Sequence, residues 1–200
     1  MGIDQIVQNN ARILEIKQER DSGNTKNIPE ARKLDDNNYR GYFSILHAYL
    51  SEELGTGDYK AAYFGSYGDM KVAESMPVKW IYIDKNQKYS KKPSKDNIKF
   101  EHADLLKGLP DIIEPESLDL VLTKMITYEG DELERQFPIY EALKKGGIAV
   151  FDRPILDNDI RYKKLEFFDD LRLESFGDTV STDTEMRYWN IKKLHLYRKL

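Results

Sequence analysis

Two carboxylates in this chain stand where a nucleotide could be held. Asp84 closes the apolar run Trp80-Ile81-Tyr82-Ile83, and Asp104 closes Glu101-His102-Ala103. Upstream of Asp84 lies a second apolar run, Ala61-Ala62-Tyr63-Phe64, followed by the glycine turn Gly65-Ser66-Tyr67-Gly68. Glycines let a backbone approach a ligand closely. A carboxylate roughly 20 residues beyond such a turn can accept hydrogen bonds from a ribose diol. Two charge-assisted bonds of this kind are worth about 1.5–3 kcal/mol each. Asp84 draws its interest from this offset, because strand ends often carry acids for other reasons. Asp104, before Leu105-Leu106-Lys107, is equally able to cap a turn.

Other reactive side chains are scattered. Glu129, Asp152 and His102 fall near strand ends and are the candidates for a general base. Arg153 follows Asp152, so an ion pair at the strand end competes with that role. His47 and His195 read as packing residues within a helix and a strand. The three histidines show no metal-ligand spacing, and the absence of cysteine excludes disulfides and thiolate chemistry. No Gly-x-x-x-x-Gly-Lys-Ser/Thr loop exists. The turn at Gly65 does not supply Gly-x-Gly-x-x-Gly, which counts against a nicotinamide-dependent oxidoreductase.

These residues need a scaffold, and the periodicity supplies one. Gly2 to Arg20 reads as an amphipathic helix whose apolar stripe is Ile3, Ile6, Val7, Ala11 and Leu14. Ser22 to Pro29 is a turn-rich break. Asp35, Asp36 and Asn37 offer N-caps for a second helix with Tyr39, Phe43, Leu46, Tyr49 or Leu50, and Leu54 on its apolar face, ended by Gly55 and Gly57. Strands follow at Lys60–Phe64, Lys79–Asp84, Asn97–His102, Leu118–Thr123 and Ile148–Asp152. The continuously apolar LDLVLT suits a parallel strand buried on both faces. Between the first two strands only about Asp69 to Met76 can be helical, because Pro77 restricts its predecessor. Asn86 to Asn97 reads as a loop with at most one helical turn. A helix within Asp131 to Lys145 is kinked or opened by Pro138 and ended by Gly146-Gly147, with Lys144 and Lys145 at its carboxyl end. Some helix is expected between Asp157 and Phe168. Leu171–Phe176 and Tyr188–Tyr197 alternate and suggest a closing antiparallel pair. Strand and helix in alternation predict an α/β fold with a largely parallel, mixed sheet.

The 200 residues suit one domain with a proper core. With 40% hydrophobic and 33% charged residues, the chain reads as globular with a heavily charged surface. No apolar run approaches the ~20 residues that span a bilayer. The amino terminus lacks a signal-peptide pattern, and Ile6 stands where a myristoylation signal needs Ser or Thr. A cytoplasmic protein without membrane attachment is the expectation. The net charge of −4 argues against a general electrostatic nucleic-acid binder. Lys85, Lys88, Lys91, Lys92, Lys95 and Lys99 nonetheless crowd into one segment, best read as a solvated loop.

From Tyr59 onwards the order of elements resembles the class I S-adenosylmethionine-dependent methyltransferases. The matching motifs are YFGSYGD, Tyr63 to Asp69; IYID, ending at Asp84; EHAD, ending at Asp104; SLDLVL, Ser117 to Leu122; and LKKGGIAVFD, Leu143 to Asp152. The resemblance implies a Rossmann-like mixed seven-stranded sheet, mostly parallel with an antiparallel closing strand and helices on both faces. It implies residues 58–200 as the methyltransferase domain, with residues 1–57 a helical segment packed on or lidding the site. It also implies S-adenosyl-L-methionine as cofactor. Phe64, Gly65, Ser66 and Gly68 would form the turn around its methionine part, and Asp84 would hold the ribose. Lys85, Ala103 and Asp104 would stand by the adenosine, and Lys124 beside the substrate. The family's acid before the glycine turn is replaced by Tyr63 or Phe64, bulky Tyr67 sits inside the turn, and TKMITYE lacks the Asn-Pro-Pro-aromatic signature of amino-group methylation. The implied activity is methyl transfer to an acceptor that is unknown, a small molecule being favoured over nucleic acid. The alternative is a degenerate, non-catalytic cofactor- or nucleotide-binding protein. Oligomeric state is not legible.

Overall fold

The computed structural model describes residues 1–66, 69–90, 96–123, 138–152, 154, 156, 159–168 and 193–200. Seven strands form one sheet: β1 (Lys60–Phe64), β2 (Lys79–Asp84), β3 (Ile98–His102), β4 (Leu118–Thr123), β5 (Leu143–Phe151), β6 (Tyr162–Leu165) and β7 (His195–Lys199). Their order is β3-β2-β1-β4-β5-β7-β6. The first five are parallel, and β7 runs antiparallel to both β5 and β6. This is the Rossmann-like mixed sheet expected from the methyltransferase resemblance.

Side chains alternate across the central strands, as the pleat requires. Ala61, Tyr63, Trp80, Tyr82, Leu120, Leu122, Ile148 and Val150 face one way and pack with helices α2 (Ile28–Leu54) and α3 (Met70–Ser75). Ala62, Phe64, Ile83, Val121, Ala149 and Phe151 face the other way. There they meet Leu105, Ile113 and the helical residues Ile139 and Ala142. Helix α1 (Ile3–Asp21) packs on α2 through Ile13, Ile16 and Ala31.

The expectations for α1 and α2 need correction. The buried stripe of α1 is Ile6, Asn9, Ile13 and Ile16, while Val7 and Leu14 are 54% and 43% exposed. A polar residue on the inner face misled the hydropathy pattern. Asn9 is buried because its amide donates to Asn38 Oδ1 at 2.7 Å, and Asn38 donates to Asn10 Oδ1 at 2.9 Å. Helix α2 starts at Ile28, not near Asp35, because Pro29 sits in its first turn. There a missing N–H costs nothing. The predicted apolar face holds, with Tyr39, Phe43, Leu46 and Leu50 buried, and Gly55 closes the helix in the left-handed conformation at φ +69°.

Two more corrections concern the far side of the sheet. Lys144 and Lys145 belong to β5, not to a helix end. Leu118 pairs with Leu143 and Leu120 with Ile148, so the extra residues on β5 form a bulge. Gly146 takes φ +81° within it. Residues 162–165 are a strand where helix was expected, and among the described residues this strand pairs with β7 on the side away from β5. The short polar run Tyr-Lys-Lys-Leu carries little strand signal, since its two lysines face solvent at the sheet edge. The expected strand at Leu171–Phe176, the first part of Tyr188–Tyr197 and the stretch 131–137 of the predicted helix lie outside the described residues. Helix α4 (Gln87–Ser90) is the single helical turn anticipated after β2.

Candidate functional site

The carboxyl edge of β1, β2 and β3 is where the register gathers the predicted residues. Phe64 pairs with Ile83 across β1 and β2, and Asp84 pairs with His102 across β2 and β3. Gly65 and Ser66 therefore follow beside Asp84, and Ala103 and Asp104 begin just beyond it. On the other flank Phe64 pairs with Thr123, and Thr123 with Phe151. The strand order reverses between β1 and β4, and open α/β sheets bind ligands outside the carboxyl ends at such a point.

The turn is shaped by its own backbone. Gly65 adopts φ +68°, a left-handed conformation that costs a side-chain-bearing residue ~1–2 kcal/mol. Its N–H donates to Ile83 O at 2.9 Å, and Asp69 N–H donates to Ser66 O at 2.9 Å. Ser66 is buried, and Phe64 is buried in the second core face, so Phe64 offers a ligand backbone at most. Gly68, Lys124 and the candidate base Glu129 lie outside the described residues.

Asp84 is 6% exposed, and its Oδ1 accepts from Asn86 N–H at 2.8 Å. This local turn fixes the carboxylate's orientation. Ala103 N–H donates to Asp84 O at 3.3 Å, stitching the segment after β3 to the end of β2. Asp104 is partly exposed, and its carbonyl accepts from Lys107 N–H at 3.0 Å to open a short 3-10 turn. Lys85 is exposed on the same edge.

His102 is exposed, and its Nε2 lies 2.9 Å from Lys85 O. A carbonyl only accepts, so Nε2 carries the proton and the ring braces the backbone after β2. Asp152 follows β5 at the same edge, half-buried. His195 joins it there, because antiparallel β7 begins where β5 ends and His195 pairs with Phe151.

Sequence reasoning missed a buried polar cluster under the turn. Asp69 caps α3, its Oδ1 accepting from Lys71 N–H at 3.2 Å. Its Oδ2 accepts from the hydroxyl of Tyr39, which comes from α2, 30 residues earlier. Tyr82 of β2 donates to Asp69 O at 2.8 Å and accepts from Ala73 N–H at 3.2 Å. Tyr63 brings its hydroxyl into the same cluster without a well-aligned hydrogen bond among the described residues. Burial first, and then the charge of Asp69, push Tyr39, Tyr63 and Tyr82 above the usual phenol range. All three stay protonated, so Tyr39 is the donor. The Gly-Asp before a short helix is a readable N-cap signal; nothing local marks Tyr39. Among the described residues no group of three or more acids and histidines is placed to hold a metal, and no helix is long and apolar enough to cross a membrane.

No protein-family model matches the sequence, and no curated protein matches it. Similar solved structures include a protein assigned as an S-adenosyl-L-methionine-dependent methyltransferase from Methanococcus maripaludis. It has 18% identity over 64% of this chain and 61% of that one, with a TM-score of 0.45. Another is assigned as a sarcosine dimethylglycine methyltransferase from Galdieria sulphuraria, with 15% identity over 53% of this chain and 44% of that one, and a TM-score of 0.44. Phosphoethanolamine N-methyltransferase 2 of Haemonchus contortus, solved with S-adenosyl-L-methionine, has 19% identity over 47% of this chain and 24% of that one, with a TM-score of 0.39. The matches span less than two thirds of each of these proteins' own length. At such scores the fold assignment rests on the strand order itself.

Proposed function

We propose that this chain is an S-adenosylmethionine-dependent methyltransferase. One observation carries the reading: adjacent parallel strands bring Gly65-Ser66, Asp84 and Ala103-Asp104 to one carboxyl edge, beside the point where the strand order reverses. The residues present suit the cofactor. A left-handed glycine admits a close ligand, and a locally oriented carboxylate suits a ribose diol. In this assignment Phe64, Gly65, Ser66 and Gly68 wrap the methionine part and Asp84 holds the ribose. Lys85, Ala103 and Asp104 line the adenosine, and Lys124 stands beside the acceptor. Residues 1–57 are a helical segment packed on or lidding this site, and residues 58–200 form the methyltransferase domain.

The bound sulfonium supplies an electrophilic methyl group. The protein's part is then to align the acceptor and exclude water, with a base only where the acceptor must lose a proton. Asp152 and His102 are the described candidates to take that proton, and Glu129 is the third. The acidic composition favours a small-molecule acceptor over nucleic acid, and the expected setting is the cytoplasm. A binding-only reading draws support from the glycine turn, where Tyr63 or Phe64 replaces the family's acid and Tyr67 stands between the glycines.

Thermal melting with S-adenosylmethionine, S-adenosylhomocysteine or NAD tests the proposal. A ligand at about 100 times its dissociation constant adds about 2.7 kcal/mol, which is on the order of 5–10 °C for a domain of this size. A shift with the sulfur ligands alone is expected. A shift with NAD alone overturns the reading. A sulfur-ligand shift without methyl transfer to any amine, hydroxyl or carboxyl acceptor favours the binding-only protein.

A further inference from the structure

Helix α2 grips α3 and the turn before it with three side chains on one helical face. Asp36 pairs with Lys71, Arg40 Nη1 lies 2.6 Å from Glu74 Oε2, and between them the Tyr39 hydroxyl donates to the Asp69 carboxylate. Lys71 and Arg40 hold the Asp36 carboxyl below its ordinary range although burial works against them. The two outer pairs are partly exposed and serve as ordinary surface clamps. The middle contact differs. Tyr39 is 3% exposed and Asp69 7%. The Asp69 backbone also closes the turn, donating to Ser66 O and accepting from Tyr82.

We infer that Tyr39 is a positioning residue for the cofactor turn: the amino-terminal segment fixes Asp69, and through it Ser66 and Gly65, by the Tyr39–Asp69 hydrogen bond. This rests on the proposed function for its ligand, though not for its mechanical content. Removing the hydroxyl leaves Asp69 Oδ2 in a buried place without its phenol donor, while Oδ1 still caps α3. The turn then relaxes around a carboxylate seeking water, and α3 stays folded.

The test compares Tyr39→Phe with Arg40→Ala, which loosens the surface pairs with Glu74 and Asp36 and leaves the Tyr39–Asp69 bond in place. Hydrogen exchange of the ligand-free proteins reads the mechanical content. Amides of Gly65, Ser66 and Asp69 should exchange about tenfold faster in Tyr39→Phe and stay near wild type in Arg40→Ala. Calorimetric titration with S-adenosylhomocysteine, well below both melting points, should show binding weakened about tenfold in Tyr39→Phe only. Equal exchange in Tyr39→Phe and wild type overturns the inference. Wild type that binds while Tyr39→Phe binds equally well overturns it and leaves the proposed function standing. Wild type that does not bind S-adenosylhomocysteine overturns the proposed function and the cofactor role of the turn, and the exchange of Tyr39→Phe alone then decides the mechanical content. A lowered melting temperature with unchanged exchange and affinity marks Tyr39 as merely structural and also overturns it.

Discussion

Replacing Asp84 by asparagine separates its two tasks. Asparagine keeps an oxygen for Asn86 N–H, so the local turn that orients the side chain persists. It loses the negative charge and turns the second oxygen into a donor, which cannot accept from a ribose hydroxyl. One charge-assisted hydrogen bond is lost, worth about 1.5–3 kcal/mol. At 1.4 kcal/mol per decade this weakens S-adenosylhomocysteine binding by roughly 10- to 150-fold. Asp84→Ala adds a second effect, because Asn86 N–H then loses its acceptor, and ~1–3 kcal/mol of stability goes with it if that amide stays dry. Isothermal titration gives the affinities and thermal melting without ligand gives the stabilities. The expected pattern is weak binding in both variants, with a lowered melting temperature mainly in Asp84→Ala. Asp84→Asn that binds like wild type refutes the ribose assignment, whatever its stability.

Other outcomes follow from the same structure. Gly65→Ala places a methyl group at φ +68° and should cost ~1–2 kcal/mol, read as a fall of about 2–8 °C in melting temperature. Ile13→Ala should cost ~2–5 kcal/mol in a urea titration, whereas Leu14→Ala should stay within about 0.5 kcal/mol, because the first side chain is buried and the second exposed. Burial lowers the His47 pKa from the ordinary 6.5. The unfolded chain therefore binds more protons near that pH. Its contribution is complete above about pH 6.5 and is lost as pH falls through the depressed native value. The urea midpoint should drop between pH 7 and 5, and less so in His47→Gln.

The parallel core of the sheet could be read from the chain because buried strands are written as continuous apolar runs. Ala61 to Phe64, Trp80 to Ile83 and Leu120 to Leu122 leave no other element that fits their length. The acids at strand ends were legible for the same reason, since a carboxylate closing such a run has to emerge at the edge. What failed was anything set by a distant partner. Asn9 is absent from the apolar stripe that hydropathy assigns to α1, and only its bond to Asn38 places it inside. Pro29 looked like a helix breaker, although the first turn of a helix tolerates it. Lys144 and Lys145 looked like a helix end, and only pairing with β4 makes them strand. The Tyr39–Asp69 bond leaves no local trace, because the two residues meet only once α2 lies on the sheet.

The most direct test of the central claim is a calorimetric titration of the wild-type protein with S-adenosylhomocysteine, with NAD titrated in parallel. The account predicts saturable heat at one ligand per chain for the sulfur nucleoside and none for NAD. No heat with S-adenosylhomocysteine at millimolar concentration, or saturable binding of NAD instead, would contradict it.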